Sequence, residues 1–365
     1  MNWLLMNVAK IAALYGLAPS LLNIDGVDCL TTDNGLAAVR SSFGLQEELT
    51  WAGASLDMLF GLGLRELGLF VKTEHGAYAV RVDDRWVYLT QYIPGTSCDA
   101  SNFFEVRSVG RVVANLHRAS PAVLAHYPPP NSRLATDWLT AARERAAYWR
   151  LATQRYRKGT RGEALRHLLR HAEEALTRAE KFAGSLEGER VVSLSQVSFG
   201  QFAYLREAHA VCLNEAHLCV DLSFVSIGDL LLEAELGNEA GLHFLSAYQA
   251  VRPLTMGERE MLIAYLCYPH EWAEQLDNLT RGNAAFDGER VLALLRRKCE
   301  WLDWLEEHLA ELRRDKIKVP VDADQSESQV VPIEGPPSPV PPPSNTLPPS
   351  QTPLSRIVWR PFPRR

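Results

Sequence analysis

The 365-residue sequence holds no C-x-x-C pair, no H-E-x-x-H run and no G-x-S-x-G turn. Its six cysteines, Cys29, Cys98, Cys212, Cys219, Cys267 and Cys299, are scattered, which argues against a zinc site and for a reduced compartment. Ser193, Ser195 and Ser198 lie near His209 and His217 in the chain, but none sits in the strand-to-helix elbow that a serine hydrolase needs. His167 and His171 have the i, i+4 spacing of a metal pair. They fall in an Arg/Glu-rich stretch, where a solvated helix face is the simpler reading. Positive charge is also in short supply. With 38 Lys and Arg against 44 Asp and Glu the net charge is -6, so no large basic field exists to neutralise phosphates, and nucleic acid is not an expected partner. No uncharged apolar run reaches the roughly 18 residues of a membrane span, and no membrane partner is expected. The apolar start, Met1 to Leu17, lacks a basic leader and is interrupted by Lys10; it reads as an amphipathic first helix rather than a signal peptide.

What is present is an apolar fraction of 47%, enough over this length for a core without disulfide staples, in two domains or one bilobal body. The composition changes sharply near Lys318, after which fall thirteen of the 21 prolines. Such a segment buries too little apolar area to offset its ordering entropy, so 316–365 is expected to be a disordered, partly polyproline-II tail. Its end, Ile357 to Arg365, is aromatic and basic and reads equally as a docking peptide or a free end. The first hundred residues look strand-rich. Asp28–Thr32 and Leu36–Ser41 flank Asp33-Asn34-Gly35, where Asn-Gly favours a primed hairpin turn. Tyr78–Val82 and Arg85–Thr90 flank Asp83-Asp84 as a second hairpin, with helical character over Glu47–Leu62 between them. Helices are then expected over 102–118, from an N-cap at Asp137 to Trp149, and over 161–182, where Leu165, Leu168, Leu169, Ala172, Leu176 and Ala179 make a stripe of helical period. A strand-like interlude, 191–224, precedes helices at 226–236, 239–250, 255–267, 269–278 and 288–313. Trp301, Leu302, Leu305, Leu309 and Leu312 form a last stripe, read as core or docking surface.

Several stretches in this order resemble one family. Leu89-Thr-Gln-Tyr-Ile-Pro-Gly95 is similar to the last N-lobe strand and hinge of the aminoglycoside/choline phosphotransferase superfamily, and Val109 to His117 to its helix ending in Leu-His. Thr32 to Arg40, Tyr88 to Cys98 and Phe244 to Leu254 resemble one branch of it, the CotS-type spore coat proteins of endospore-forming bacteria. The resemblance covers about 5–312. It implies an α+β, protein-kinase-like bilobal fold: a small β-rich N-lobe over 1–95, a hinge near 91–96, a larger helical C-lobe over 96–315, and the proline-rich tail outside it.

Phosphoryl transfer needs a cation on the phosphates, a carboxylate near the attacking hydroxyl and oxygen ligands for Mg²⁺. Carried over residue by residue, the resemblance puts Arg40 where the family has a strand lysine. Arginine keeps the charge but not the compact ammonium, and a phosphate contact and an exposed strand residue are both open. Glu47 or Glu48 stands for the acid of the next helix, or is a solvated charge. Leu22 to Val27 has a single glycine where a phosphate-cradling loop belongs. The hinge at Gln91 and Ile93 offers candidate nucleotide contacts. In Val191 to Gln201 the spacing of His-Gly-Asp-(four residues)-Asn survives as Leu194, Ser195, Gln196 and Gln201. An amide at Gln196 cannot take the proton a carboxylate would, and Gln201 retains only a neutral oxygen for a metal. Asp221, in Leu218-Cys-Val-Asp-Leu-Ser223, is the retained candidate metal carboxylate or else a turn-capping residue, its second acid replaced by Ser223. Asp229 matches a structural brace. The implied function is a pseudokinase made in the mother cell and acting as a structural or interaction component of the endospore coat, its tail meeting other coat proteins, with no cofactor expected. Two alternatives are a divergent ATP- and Mg²⁺-dependent small-molecule phosphotransferase, with Glu207 or Glu215 as base, and a nucleotide-binding sensor.

Overall fold

A computed structural model describes residues 3–311 except 136, 187–189, 196, 206–209, 214–217, 234–238 and 282–285. The expected tail at 316–365, Leu312 and the candidates Gln196, Glu207, Glu215, His209 and His217 lie outside the described residues. Met1–Ala310 forms one unit. Its first part is a helix, α1 (Trp3–Leu14), then three strands in sequence, β1 (Leu21–Ile24), β2 (Val27–Thr32) and β3 (Gly35–Ser42), a helix, α2 (Gln46–Gly61), and three further strands, β4 (Phe70–Val71), β5 (Ala79–Val82) and β6 (Arg85–Gln91). All pair antiparallel in the order β1-β2-β3-β6, with β4 and β5 following one another along the far edge of β6.

The period of two along these strands makes two faces. One carries Leu30, Ala37, Val82, Val87 and Leu89 and is closed by Ile11, Ala12 and Tyr15. The Tyr15 hydroxyl donates to the Tyr78 and Val87 carbonyls, so the first helix is core, as its apolar pattern predicts. The opposite face carries Cys29, Ala38, Arg40, Tyr88 and Thr90, by the pairings Cys29 with Ala38, Ala38 with Thr90 and Arg40 with Tyr88. There Phe70 packs on Tyr88 with ring centroids 5.1 Å apart, and Gly53 of α2 lies against the Tyr78 ring, where no Cβ would fit.

The hairpin at 33–35 forms by a different turn from the one expected. Among the described residues only Asp25 and Asp83 join the glycines at positive φ, while Gly35 has φ 117°. Asp33 and Asn34 make the bend and Gly35 absorbs the left-handed conformation after it, so Asn34 does not need the strained φ of a primed turn. The primed pair is instead Asp25-Gly26, φ 50° and 82°, which closes β1 on β2.

A short strand, β7 (Thr96–Ser97), leads to the helical part. This comprises α3 (Phe103–His126), α4 (Trp138–Arg155), α5 (Gly159–Phe182), the strands β8 (Arg190–Leu194), β9 (Phe202–Leu205), β10 (Ala210–Leu213) and β11 (Leu218–Leu222), and then α6 (Ser223–Glu233), α7 (Glu239–Val251), α8 (Met256–Cys267), α9 (Ala273–Thr280) and α10 (Gly288–Glu311). β8 pairs with β11, and β10-β9-β7 forms a second small sheet. Asp137 caps α4 by accepting from the Thr140 amide, and the α5 stripe is buried except for Leu169, which is half-buried. α3 runs eight residues past the expected end at Arg118, through Pro121. Burial of Ser120 and Val123 overrides the broken backbone bond: the Ser120 hydroxyl donates to the Leu116 carbonyl and accepts from the Val192 amide of β8. Trp301, Leu302, Leu305 and Leu309 are buried, which makes the described part of the last stripe core. No helix among the described residues is long and apolar enough to cross a membrane.

Candidate functional site

The sequence candidates fall in three places. The first is the sheet face away from α1. Arg40 projects there beside Cys29, whose thiol is pushed up by burial and partly eased by the Arg40 charge. The tight Asp25-Gly26 hairpin stands where a phosphate-cradling loop was sought. Tyr92, which the sequence reading did not single out, belongs to this neighbourhood: burial, then the charge of Asp25, pushes its hydroxyl up. Its amide donates to the Leu36 carbonyl at 2.8 Å. Of the hinge candidates, Gln91 is exposed and its amide donates to the Leu69 carbonyl at 2.7 Å, while Ile93 is buried.

The second place is the first turn of α2. Glu47 is exposed. Glu48 is held by Arg133, Oε2 to Nη2 3.0 Å, with about 15% of either side chain open to solvent (16% and 15%). Arg133 also donates from Nη1 to the Leu218 carbonyl of β11 at 3.3 Å. One turn along, the Trp51 indole donates to the Tyr127 carbonyl at the end of α3. Thus α2 is fastened to the helical part at two points. Arg133 was missed because nothing local marks it; its partner is 85 residues away.

The third place is the turn after β8 and the end of β11. Gln201 closes a short 3-10 turn, Phe199–Gln201, with a reciprocal capping box. Its Oε1 accepts from the Ser198 amide at 3.1 Å and its Nε2 reaches the Ser195 carbonyl at 3.5 Å. Glu233 of α6, also missed, accepts from the Phe199 amide at 2.9 Å and so ties α6 to this turn. Asp221 pairs in register with Val191. Its Oδ1 accepts from the Leu222 amide at 2.7 Å, but burial dominates and pushes the carboxyl up to about 7, with Asp229 adding to the rise. Asp229 is itself pushed up to about 6 by burial, against a hydrogen bond donated by the Tyr265 hydroxyl at 2.6 Å. Burial also raises Glu233. The i, i+4 spacing of Asp229 and Glu233 on an otherwise apolar helix was the available signal for that pair.

Mg²⁺ requires several ionised or strongly polar oxygens at once. Burial holds the Asp221 carboxyl high, and the Gln201 oxygen accepts one hydrogen bond within its own turn. Among the described residues no group of three or more His, Cys, Asp or Glu has the geometry to hold a metal. His171 faces Cys299 at 3.6 Å and His167 faces Arg170 at 3.1 Å.

Solved structures share this architecture. The chain is similar to an aminoglycoside phosphotransferase from Alicyclobacillus acidocaldarius subsp. acidocaldarius DSM 446, at 17% identity over 83% of this chain and 94% of that one, with a TM-score of 0.63. It is also similar to a choline/ethanolamine kinase family protein from Mesorhizobium loti, at 14% identity over 85% and 98% of the two chains, with a TM-score of 0.51. No protein-family model and no curated protein sequence matches the chain. The chain therefore has the kinase-like fold of these phosphotransferases, a β-rich N-terminal part followed by a larger helical part. At this identity the likeness is one of fold, and fold alone does not assign an activity.

Proposed function

We propose that the chain is a non-catalytic protein built on the phosphotransferase fold, working through contacts with other proteins. The observation that carries this reading is the Ser198–Gln201 capping box. The residue at the family's metal-binding asparagine position turns its oxygen onto its own backbone turn, at 3.1 Å from the Ser198 amide. One further fact supports it: Glu48 is engaged by Arg133. The endospore coat is the setting that the motifs at 32–40, 88–98 and 244–254 suggest. That part of the proposal rests on the resemblance, and coat partners would be met through the body or through the tail. One observation favours the alternative of an active, divergent phosphotransferase acting on a small hydroxylated or amino compound. Burial holds the Asp221 carboxyl up at about 7, and carboxyls perturbed in this way concentrate at functional sites; in this alternative Asp221 holds the metal and Glu207 or Glu215 is the base.

A thermal-shift titration of the full chain with ATP, with and without Mg²⁺, separates these readings. A site saturated at about 100 times its dissociation constant adds roughly 2.7 kcal/mol, a visible rise in Tm. The proposal expects no shift at millimolar nucleotide. A Mg²⁺-dependent shift abolished by Asp221→Ala, with ADP release on adding candidate acceptors, would establish the enzyme instead. A shift independent of Mg²⁺ and lost in Arg40→Ala would establish a nucleotide sensor.

A further inference from the structure

The charged residues along α4 and α5 fall into two sets. Away from their connecting turn, the cations are matched by acids, with Lys181 at the end of α5 the exception among the described residues. Arg143 pairs with Glu180 at 3.0 Å, Arg150 with Glu173 at 2.8 Å, Arg170 with Glu174 at 3.7 Å, and Arg178 with Glu260 and Glu306. At the turn itself the matching stops. Arg155, Arg157, Lys158, Arg161 and Arg166 lie within twelve residues of sequence, and among the described residues none of the five forms an ion pair with a carboxylate. Arg157 and Arg166 donate to the backbone carbonyls of Gln154 and Arg157, and Arg161 lies over the Tyr156 ring at 5.6 Å. These bonds hold the turn in shape and leave its positive charge unneutralised. Four of the five are exposed and Arg161 is half-buried; Leu151, one turn back on α4, is 55% exposed.

The neighbourhood has acids of its own, but fewer. Glu163 is on α5. Gly288, at the start of α10, approaches the Thr160 carbonyl so closely that a Cβ there would stand 2.7 Å from it. This brings Asp287 and Glu289 near the turn. Asp287 is occupied as the cap of α10, accepting from the Arg290 amide, and Arg290 adds a further cation. A chain of net charge -6 thus carries a local basic prominence. Leaving like charges together without counter-charges costs folding free energy, so a partner that supplies the acids is the physical reason to look for.

We infer that the α4–α5 turn is a docking surface for a short carboxylate-rich segment of another protein. Arginine forks match carboxylates bidentately, and exposed Leu151 offers an apolar contact beside them. A short segment fits better than a long polyanion. Within a Debye length of about 8 Å it senses the turn alone, whereas duplex DNA or an anionic bilayer would also face the acidic remainder of the chain.

The test uses the full chain and a fluorescent oligo-glutamate peptide, with oligo-glutamine of equal length, a short DNA duplex and phosphatidylserine vesicles as competing probes. Expected is saturable binding of oligo-glutamate that weakens about tenfold between ~50 and ~500 mM salt. Binding is lost in Arg155→Gln/Lys158→Gln/Arg161→Gln and persists, weakened by the loss of the bidentate forks, when the two arginines are instead changed to lysine. The control Arg143→Gln/Arg150→Gln, which removes matched cations from the same helix, leaves it unchanged. Absence of binding, an equal loss in the control, or tighter binding of DNA or vesicles than of oligo-glutamate would each overturn the inference. The lysine variant guards against misfolding, because it keeps the charge whatever the turn requires of the arginine planes.

Discussion

Asp229 shows what a single buried carboxyl does to the stability of this protein. Its folded pKa, about 6, stands above the value of 3.8 for an exposed aspartate because burial disfavours the charged form. The folded chain therefore holds the proton more tightly than the unfolded chain. The stability this contributes is complete below about pH 4 and is lost as pH rises through about 6; Asp221 extends the loss through about 7. Asparagine at 229 would keep an oxygen to accept from Tyr265 and would carry no charge to bury. Asp229→Asn is expected to match the parent near pH 4 and to exceed it at pH 8 by up to about 3 kcal/mol, read from urea midpoints at the two pH values. A difference that does not change with pH would show that the carboxylate is solvated. His117 is the contrasting case. Buried between the Tyr248 and Ser226 hydroxyls at 2.8 and 3.2 Å, it is pushed down to about 3 and stays a neutral brace across the working range.

Between elements, close approach and bond satisfaction decide the outcome. Gly110 lets α3 and α7 meet. A Cβ at this position would lie 2.6 Å from the Phe244 carbonyl oxygen, a backbone atom that cannot turn aside. Gly110→Ala is expected to cost about 1–3 kcal/mol despite the gain in helix propensity, seen as a lower Tm. Ser120 joins α3 to β8 through one hydroxyl. Ser120→Ala removes only an oxygen, yet it leaves the buried Val192 amide without an acceptor. A loss of about 1–3 kcal/mol is expected, together with faster hydrogen exchange at Val192 than at its strand neighbours. These two helix contacts were only partly visible beforehand. The helices themselves follow from their periodicity, but the continuation of α3 through Pro121 depends on what Ser120 and Val123 pack against. The 33–35 turn is similar: two strands and a glycine predict the hairpin, while the choice of which residue takes positive φ is settled by backbone strain.

At the scale of the molecule, the Glu48–Arg133 pair and the Trp51–Tyr127 bond fasten the β-rich part to the helical part. Little solvent reaches the ion pair, and removing one partner strands a charge. Arg133→Ala is expected to cost about 3–5 kcal/mol, and Glu48→Ala/Arg133→Ala less than the sum of the single changes, measured by denaturant unfolding. Additive losses would mean the two charges act independently. Because Arg133 also holds the Leu218 carbonyl, loosening of α2 should reach β11, the strand of Asp221.

The sequence by itself determined the antiparallel hairpins, the helical stripes, the order of a β-rich part before a helical one, and the residue types at 40, 196, 201 and 223. Those properties reside in local periodicity and in residue chemistry, which the chain carries whatever its neighbours are. Only the tertiary structure decided that Glu48 meets Arg133, that Glu233 holds Phe199, and that the cations of the α4–α5 turn go unmatched while most of those further along the same helices are paired. Each of these depends on which distant group folding brings within about 3 Å, and no spacing along the chain encodes that distance.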